Sequence, residues 1–223
     1  MIKILYAGYG EIGVLGLSKI FSSELFDPSN IFVLSDEFEE DFLMSNYSKK
    51  YKLNLVSTCN LEKIKKIKFD ICISVHWRKK ITKEILSNCK KGGINLHPSL
   101  LPKYAGCSSL AWAIINQEEF AGFTWHQIND DFDKGEIVFQ YPIKINSLDT
   151  AFSLWNKVNN KGVEKILHVI KIFISENTTM IKQDFTKRSY FSRGFPTFAQ
   201  ALKINKKLDR ETYARASFFP GKQ

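Results

Sequence analysis

The stretch Ile94 to Gly106 reads Ile-Asn-Leu-His-Pro-Ser-Leu-Leu-Pro-Lys-Tyr-Ala-Gly. Asn95 and His97 stand two positions apart, near the end of an apolar run that predicts a β-strand. Because successive side chains of a strand point to opposite faces, these two share one face. Pro98 and Pro102 then favour a stiff surface loop, the kind of segment that often carries reactive groups. The stretch therefore predicts a strand that ends with an amide and an imidazole side by side.

Upstream of this stretch, short apolar runs alternate with helical patterns. The predicted strands are residues 2–7, 31–34, 53–56, 70–75 and 92–96. The predicted helices between them include residues 14–25, 40–50 and 61–68. Such alternation is typical of a parallel sheet covered by helices on both faces, in which ligands bind at the carboxyl ends of the strands. The expected fold class is therefore α/β, with a Rossmann-like, mostly parallel, twisted sheet.

Downstream, two more strands are predicted at residues 123–128 and 137–141, and a long amphipathic helix follows, capped by Asp149 and ending at Ile174. The pattern then changes, because residues 180–198 combine aromatic and turn residues and predict a short C-terminal β-hairpin. We therefore expect a catalytic domain at residues 1–175. Residues 176–223 would form a hairpin and tail that extend a dimer interface or an acceptor site.

A second polar cluster, Asp130 to Glu136, contains Asp133, which follows His97 by 133 − 97 = 36 residues. That separation allows one helix and one strand to return the chain to the same end of the sheet. Asn95, His97 and Asp133 would then form an acyl-transfer site. An amide can stabilise a developing oxyanion, an imidazole can give or take a proton, and a carboxylate can orient the imidazole.

Two questions about this site stay open at the level of sequence. His97 can act as acid or as base, because its ordinary pKa lies near neutral pH. The alternative without catalysis is that Asn95 and His97 cap a loop and that Asp133 only forms a turn. The joint spacing of the three residues makes that alternative the weaker one.

These residues resemble the formyltransferase family that uses 10-formyltetrahydrofolate. The Asn-x-His-x-Ser-Leu-Leu-Pro element of that family is present from Asn95 to Pro102, its loop glycine is Gly106, and its Asp-x-Gly element is Asp133-Lys134-Gly135. The resemblance extends from the first strand to about residue 175. It implies that the chain transfers a formyl group, with 10-formyltetrahydrofolate as co-substrate and without a metal.

The resemblance also implies where the folate binds. In the family, folate recognition comes largely from backbone groups after the fourth strand and from the loop that leads to the catalytic aspartate. In this chain the first region contains Arg78, Lys79 and Ile81, and the second contains Asn129 and Asp130.

Three aromatic or imidazole side chains complete the candidate site. Trp77 and Tyr104 are candidates for lining the acceptor pocket, although either could belong to the core. His126 corresponds to a histidine that relatives often carry near the reacting centre without touching it. A buried, hydrogen-bonded structural histidine is an equal alternative at that position.

The acceptor amine could belong to methionyl-tRNA, to glycinamide ribonucleotide or to a nucleotide-linked amino sugar. Roughly 50 residues follow the last predicted helix of the core, fewer than an OB-type barrel of a tRNA enzyme needs. Glu11 would repel the phosphate of glycinamide ribonucleotide at a helix N-terminus. The chain most resembles the sugar N-formyltransferases. That implies a dTDP-linked amino-deoxysugar such as dTDP-4-amino-4,6-dideoxyglucose as acceptor, a homodimer, and a role in lipopolysaccharide O-antigen synthesis.

A rival function comes from the N-terminal loop. Gly8-Tyr9-Gly10-Glu11-Ile12-Gly13 fits the G-x-G-x-x-G pattern after a predicted strand, and Asp36 could accept a ribose hydroxyl. This pattern would indicate an NAD-dependent oxidoreductase. The alternative, which we prefer, is a tight strand-to-helix turn that needs glycine for packing.

Composition excludes several other classes. The chain has 223 residues and a net charge of +9, but its basic residues are scattered, which argues against a nucleic-acid partner. Its four histidines lack metal-ligand spacing. The cysteines have no Cys-x-x-Cys pair, which favours a reducing cytoplasm; they are Cys59, Cys72, Cys89 and Cys107. We also expect no export signal and no membrane partner.

Overall fold

The computed structural model describes residues 2–35, 42–58, 61–176 and 178–219, apart from the side chains of Leu61 and Lys63. The strands are β1 (Ile4–Gly8), β2 (Ile31–Ser35), β3 (Asn54–Ser57), β4 (Ile71–Val75), β5 (Gly93–His97), β6 (Ala105–Gly106), β7 (Phe120–Gln127), β8 (Ile137–Lys144) and β9 (Tyr190–Phe191). The helices are α1 (Gly10–Phe21), α2 (Phe42–Lys50), α3 (Leu61–Lys65), α4 (Lys83–Leu86), α5 (Ser109–Ile115), α6 (Ala151–Glu164), α7 (Ile166–Ile174), α8 (Phe198–Ile204) and α9 (Arg210–Ser217). Within the described ranges, Pro28–Asn30 and Phe185–Lys187 form short 3₁₀ helices.

Seven strands form one sheet in the order β3-β2-β1-β4-β5-β7-β8. The first five in this order run parallel, while β7 and β8 are antiparallel to their neighbours. Strands β1 and β4 are buried along their whole length, as expected for central strands covered on both faces. Two apolar clusters fill the two sides, one including α1, α5, α6 and α7 and the other α3 and α4. The expected α/β class with a mostly parallel sheet is confirmed.

The long helix predicted up to Ile174 is two helices, α6 and α7, separated at Lys165. The carbonyl of Gly162 accepts hydrogen bonds from the Lys165 amide at 3.3 Å and from the Trp125 indole of β7 at 3.0 Å. The first of these bonds spans three residues and tightens the last turn of α6, so the helix stops and restarts. The predicted cap is also displaced by one residue, because Thr150 accepts from the Ser153 amide in a capping box.

The prediction of a C-terminal β-hairpin at residues 180–198 is wrong. Within residues 178–219, Ile181 makes an isolated bridge to Ile137, β9 pairs in parallel with β6, and α8 and α9 follow. The segment takes its backbone partners from the core instead of pairing with itself. The amides of Ala105 and Cys107 donate to the carbonyls of Ser189 and Phe191 at 2.9 and 2.7 Å. The end of the chain is thereby joined to the loop that follows β5.

Candidate active site

Asn95 and His126 face each other across β5 and β7. They are direct partners in the antiparallel pairing, and Asn95 Nδ2 lies 3.1 Å from His126 Nε2. From β4, the hydroxyl of Ser74 donates to Asn95 Oδ1 at 2.7 Å. His126 Nδ1 lies 2.9 Å from the Gln127 carbonyl, which can only accept, so Nδ1 carries the proton and neutral Nε2 accepts from Asn95. The Asn95 amide is therefore held at both ends, and these bonds use one of its two N–H hydrogens.

His97 is buried and lies between a carbonyl and a carboxylate. Its Nε2 lies 3.0 Å from the Tyr104 carbonyl, and its Nδ1 lies 3.4 Å from Asp133 Oδ1. Because the carbonyl only accepts, Nε2 carries a hydrogen, and a hydrogen bond from Nδ1 to ionised Asp133 requires a second proton. Burial lowers the pKa of His97, and it outweighs the opposite effects of Asp133 and of the Tyr104 carbonyl. At neutral pH the imidazole is therefore neutral and able to take a proton at Nδ1.

Asp133 is the carboxylate on which the site converges. Its Oδ1 lies 3.4 Å from His97 Nδ1 and 3.5 Å from His126 Nε2, and its Oδ2 accepts from the Gly106 amide at 2.8 Å. Burial by itself would raise the pKa of Asp133. His97, His126 and the Gly106 amide outweigh it and hold the pKa well below its usual range. Asp133 is thus an ionised carboxylate in a largely buried site. Together with Asn95, these groups form one connected network at the carboxyl end of β5.

Two glycines allow the loops around Asp133 to approach each other. A Cβ on Gly135 would collide with the carbonyl oxygen of Gln127 at the end of β7. Gly106 has φ +87°, and a Cβ there would collide with the carbonyl oxygen of Phe191. At both Gly135 and Gly106, a side chain would therefore push a loop away from the site.

The sequence model of one protein family, described as formyl transferase, matches residues 39–170, a range that contains the whole network from Ser74 to Asp133. The chain belongs to the formyl transferase family. The family expected from the sequence is confirmed. This membership favours formyl transfer over the oxidoreductase that the N-terminal glycine loop suggested.

Among curated relatives of this chain, the GDP-perosamine N-formyltransferase of Brucella melitensis is 36% identical over 151 residues, which are 68% of this chain and 58% of the relative. The bifunctional polymyxin resistance protein ArnA of Wigglesworthia glossinidia brevipalpis is 32% identical over 203 residues, which are 87% of this chain and 31% of the relative. The chain thus spans about a third to three fifths of the length of these relatives.

Among solved structures, two that are similar to this chain match it over nearly its whole length. An N-formyltransferase from Helicobacter canadensis, in complex with folinic acid and dTDP-3-aminofucose, has a TM-score of 0.78 at 26% identity, covering 98% of this chain and 81% of that one. WlaRD, a sugar 3N-formyl transferase in the presence of dTDP and 5-N-formyl-THF, has a TM-score of 0.77 at 26% identity, covering 98% and 80%. Both structures therefore support the formyltransferase fold also for the residues before 39 and after 170, outside the range that the family model matches.

The structure brings the two predicted folate loops together. Arg78 and Lys79 are exposed after β4, while Asn129 and Asp130 are exposed on the loop before Asp133. Lys83 Nζ of α4 lies 2.6 Å from Asp130 Oδ2 and bridges the two loops. Ile81, in contrast, is buried in the second apolar cluster, so its side chain anchors the loop. The part of these residues in folate binding stays a prediction.

Trp77 and Tyr104 pack on different apolar clusters. The Tyr104 hydroxyl bonds to Glu118 and Asn116 at 2.8 and 3.0 Å, and its ring stacks on Phe191. What Tyr104 gives to the site is its backbone carbonyl, which holds His97. A contact of either side chain with the acceptor stays a prediction.

Several residues at the site were missed in the sequence. Ser74 could have been found, because it is the polar residue in the apolar strand Ile71–Val75 beside Asn95. The Gly106 amide and the Tyr104 carbonyl carry no sequence signal, because every residue has backbone groups. Arg78 stacks on Tyr9 of the glycine loop, with 3.9 Å between the guanidinium carbon and the ring centroid, a contact between distant loops.

The glycine loop has a packing explanation in this structure. A Cβ on Gly13 would lie 2.8 Å from the backbone carbon of Gly8, so α1 could not start so close to β1 with a larger residue there. Asp36, the partner proposed for a ribose, lies outside the described residues.

In the described part of the chain, no helix is long and apolar enough to cross a membrane. The same part holds no group of three or more histidine, cysteine or acidic side chains arranged for a metal ion.

Proposed function

We propose that this chain transfers the formyl group of 10-formyltetrahydrofolate to the amino group of a nucleotide-linked amino-deoxysugar. The observation that carries this proposal is the convergence of Asn95, His97, His126 and Asp133 at the carboxyl end of β5. Support for the substrates comes from the similar GDP-perosamine N-formyltransferase and from the similar enzyme that binds folinic acid and dTDP-3-aminofucose. One such acceptor is dTDP-4-amino-4,6-dideoxyglucose.

In this reaction the amine nitrogen bonds to the formyl carbon and negative charge develops on the formyl oxygen. The second N–H hydrogen of Asn95 Nδ2 is available to stabilise that oxygen. Ser74 and His126 already fix the amide, so little reorganisation is needed at the moment of reaction. Asn95 is therefore the proposed oxyanion donor.

The amine must lose a proton, and the leaving nitrogen of the folate must gain one. Neutral His97 beside ionised Asp133 is suited to take that proton, because the imidazolium would then donate from Nε2 to the Tyr104 carbonyl and from Nδ1 to Asp133. Giving the proton to the leaving nitrogen as its bond to the formyl carbon breaks restores neutral His97. The pair thus serves as base first and as acid second, with no net change in the enzyme.

We also propose an oligomeric state, a cellular compartment and a biosynthetic role for this chain. A homodimer is supported by exposed apolar side chains on the C-terminal part of the chain: Ile181, Phe185, Tyr190 and Phe218. A reducing cytoplasm is supported by the unpaired thiols of Cys72, Cys89 and Cys107. A role in O-antigen synthesis is supported by the amino sugars of two similar proteins, one a GDP-perosamine N-formyltransferase and the other an N-formyltransferase in complex with dTDP-3-aminofucose. The molar mass in solution, measured by light scattering, tests the dimer.

The proposed function is tested with a panel of acceptors. The enzyme is mixed with 10-formyltetrahydrofolate and with dTDP- and GDP-linked 3-amino and 4-amino sugars, glycinamide ribonucleotide or methionyl-tRNA. Tetrahydrofolate release is followed by absorbance, and the formylated product is identified by mass spectrometry. We expect turnover with at least one nucleotide-linked amino sugar. Turnover only with the other two acceptors, or with none, would contradict the proposal.

A further inference from the structure

The tail segment, defined as residues 183–191, holds the backbone of the loop that carries Asp133. Gln183 Nε2 donates to the carbonyls of Asp133 and Gly135 at 2.9 and 2.7 Å. Arg188 Nη1 donates to the same Asp133 carbonyl at 3.1 Å, and its Nη2 donates to the Phe132 carbonyl at 3.0 Å. Two side chains about 50 residues away in sequence therefore supply four hydrogen bonds to this one loop.

The same tail segment holds the loop that carries the partners of His97 and Asp133. Ser189 accepts from the Tyr104 amide through its hydroxyl at 2.8 Å and from the Ala105 amide through its carbonyl at 2.9 Å. The Tyr104 carbonyl contacts His97, and the amide of the next glycine, Gly106, donates to Asp133. The tail segment thus bonds to both loops between which the His97–Asp133 pair is formed.

Asp133 needs such support because its backbone is unfavourable. Its φ is +56°, in the left-handed region that residues other than glycine seldom occupy. The Gln183 amide is nearly buried, and a flipped amide would place its oxygen against two carbonyl oxygens, so its orientation is fixed. The hydrogen bonds to the Asp133 carbonyl therefore act at the residue whose conformation directs the carboxylate towards His97.

We propose that Gln183 and Arg188 are positioning residues that hold the Asp133 carboxylate against His97 for formyl transfer. This inference rests on the proposed function for its catalytic consequence, but its structural part can be tested separately. It extends the catalytic unit to these two side chains of the tail segment, because the carboxylate loses its position when their hydrogen bonds are removed.

The test uses two variants and one matched control in the full chain. Gln183→Ala removes two hydrogen bonds without changing the charge, and Arg188→Lys keeps the charge but removes the two-pronged donor. The control is Lys187→Ala, because Lys187 is exposed, neighbours Arg188 in sequence and pairs with Asp184 on the surface at 3.3 Å. Thermal unfolding verifies that each variant is folded. The measurements are kcat, KM for both substrates, and the titration of the His97 imidazole by NMR.

The sign of the change in the pKa of His97 separates displacement of Asp133 from a simple loss of charge. The groups that influence His97 are Asp133 and the Tyr104 carbonyl, which raise its pKa, and His126 and Arg188, which lower it. If the carboxylate moves away, the pKa of His97 falls. If only the charge of Arg188 were lost, the pKa would rise, and Gln183→Ala changes no charge at all.

We expect Gln183→Ala and Arg188→Lys to lower kcat by about 10- to 100-fold with KM changed less than about twofold, and to lower the pKa of His97. Lys187→Ala should match the unaltered protein. Folded variants with kcat within about twofold of that protein and an unchanged His97 titration would overturn the proposal. If the unaltered protein formylates no acceptor, the proposed function fails. In that case the titration of His97 in the Gln183→Ala variant still tests the positioning role. An unchanged pKa of His97 overturns that role, and a lowered pKa supports it.

Discussion

The Asn95 side and the Asp133 side of the site are held in different ways. Asn95 stands on β5, inside the sheet, and its amide is fixed by residues of the two adjacent strands, Ser74 and His126. Asp133 stands on a loop with a left-handed backbone, and its carbonyl is fixed by side chains from the far end of the chain. The strand side is therefore part of the folded core, whereas the loop side depends on a few long-range hydrogen bonds. We expect small changes to disturb the loop side more.

The largest expected effect comes from removing one of the two side chains of β5 that act on the reacting groups. Asn95→Ala and His97→Ala should each lower kcat by about 100- to 1000-fold, because the first removes the oxyanion donor and the second the proton acceptor. Binding of the folate, measured by calorimetry, should remain close to that of the unaltered protein. The control is Lys134→Ala, since Lys134 is exposed and pairs with Asp131 on the surface. Near-normal turnover in either active-site variant would remove that residue from the mechanism.

A smaller but still large effect is expected from Gly135→Ala on the loop side. The added methyl group collides with the Gln127 carbonyl and must move the loop that carries Asp133. A displacement of about 1 Å can cost about 100-fold in rate, so we expect a loss of that order in kcat. Asp133→Ala should show little further loss when it is combined with Gly135→Ala. Full additivity of the two losses would mean that the glycine acts elsewhere.

On the strand side the corresponding change is Ser74→Ala, and its effect should be smaller. It removes one hydrogen bond to Asn95 and leaves the sheet and His126 in place. We expect kcat to fall by about 3- to 10-fold, the equivalent of about 1 kcal/mol. Ser74→Thr, which keeps the hydroxyl, serves as the comparison. A loss from Ser74→Ala as large as that from Gly135→Ala would contradict the contrast between the two sides.

The smallest expected effect is on the pH dependence of stability. Because the pKa of His97 is lower in the folded than in the unfolded chain, the unfolded chain binds more protons between these two values. The free energy of unfolding should therefore fall as the pH drops below about 6.5 and stay level above it. Asp133 adds a stabilisation that is present above about pH 3.9 and is lost on further acidification.

Urea unfolding at several pH values checks this expectation. His97→Gln should flatten the dependence near pH 6, because glutamine does not titrate. An equal slope in both proteins would show that His97 does not carry the effect.

The sequence could predict the residues whose spacing follows the regular geometry of a sheet. Asn95 and His97 stand two positions apart on one strand and therefore share a face. The 36-residue separation between His97 and Asp133 fits one return of the chain to the same edge of the sheet. Their proximity could therefore be predicted from periodicity and topology. His126 was placed near the site by resemblance, and its contact with Asn95 depends on the register of β5 and β7. A one-residue slip in that register would have turned it to the other face.

The rest could not be predicted, because it consists of backbone groups and contacts between distant segments. The aromatic and turn residues after Met180 predicted a hairpin from local propensity. In the structure this segment pairs with β6 and with the Asp133 loop, an arrangement that local propensity does not describe. Gln183 and Arg188 looked like ordinary polar residues, and only the fold shows what they bond to. The division of the chain at residue 175 stays a prediction, and these contacts join the two parts across it.

The most direct test of the account is a crystal structure of the protein with a non-reactive formyl-folate analogue and a nucleotide-linked amino sugar. We predict that the formyl oxygen lies about 3 Å from Asn95 Nδ2 and that the sugar amine lies beside the formyl carbon, within reach of the His97–Asp133 pair. A formyl group bound with Asn95, His97 and Asp133 all beyond hydrogen-bonding distance would contradict the account.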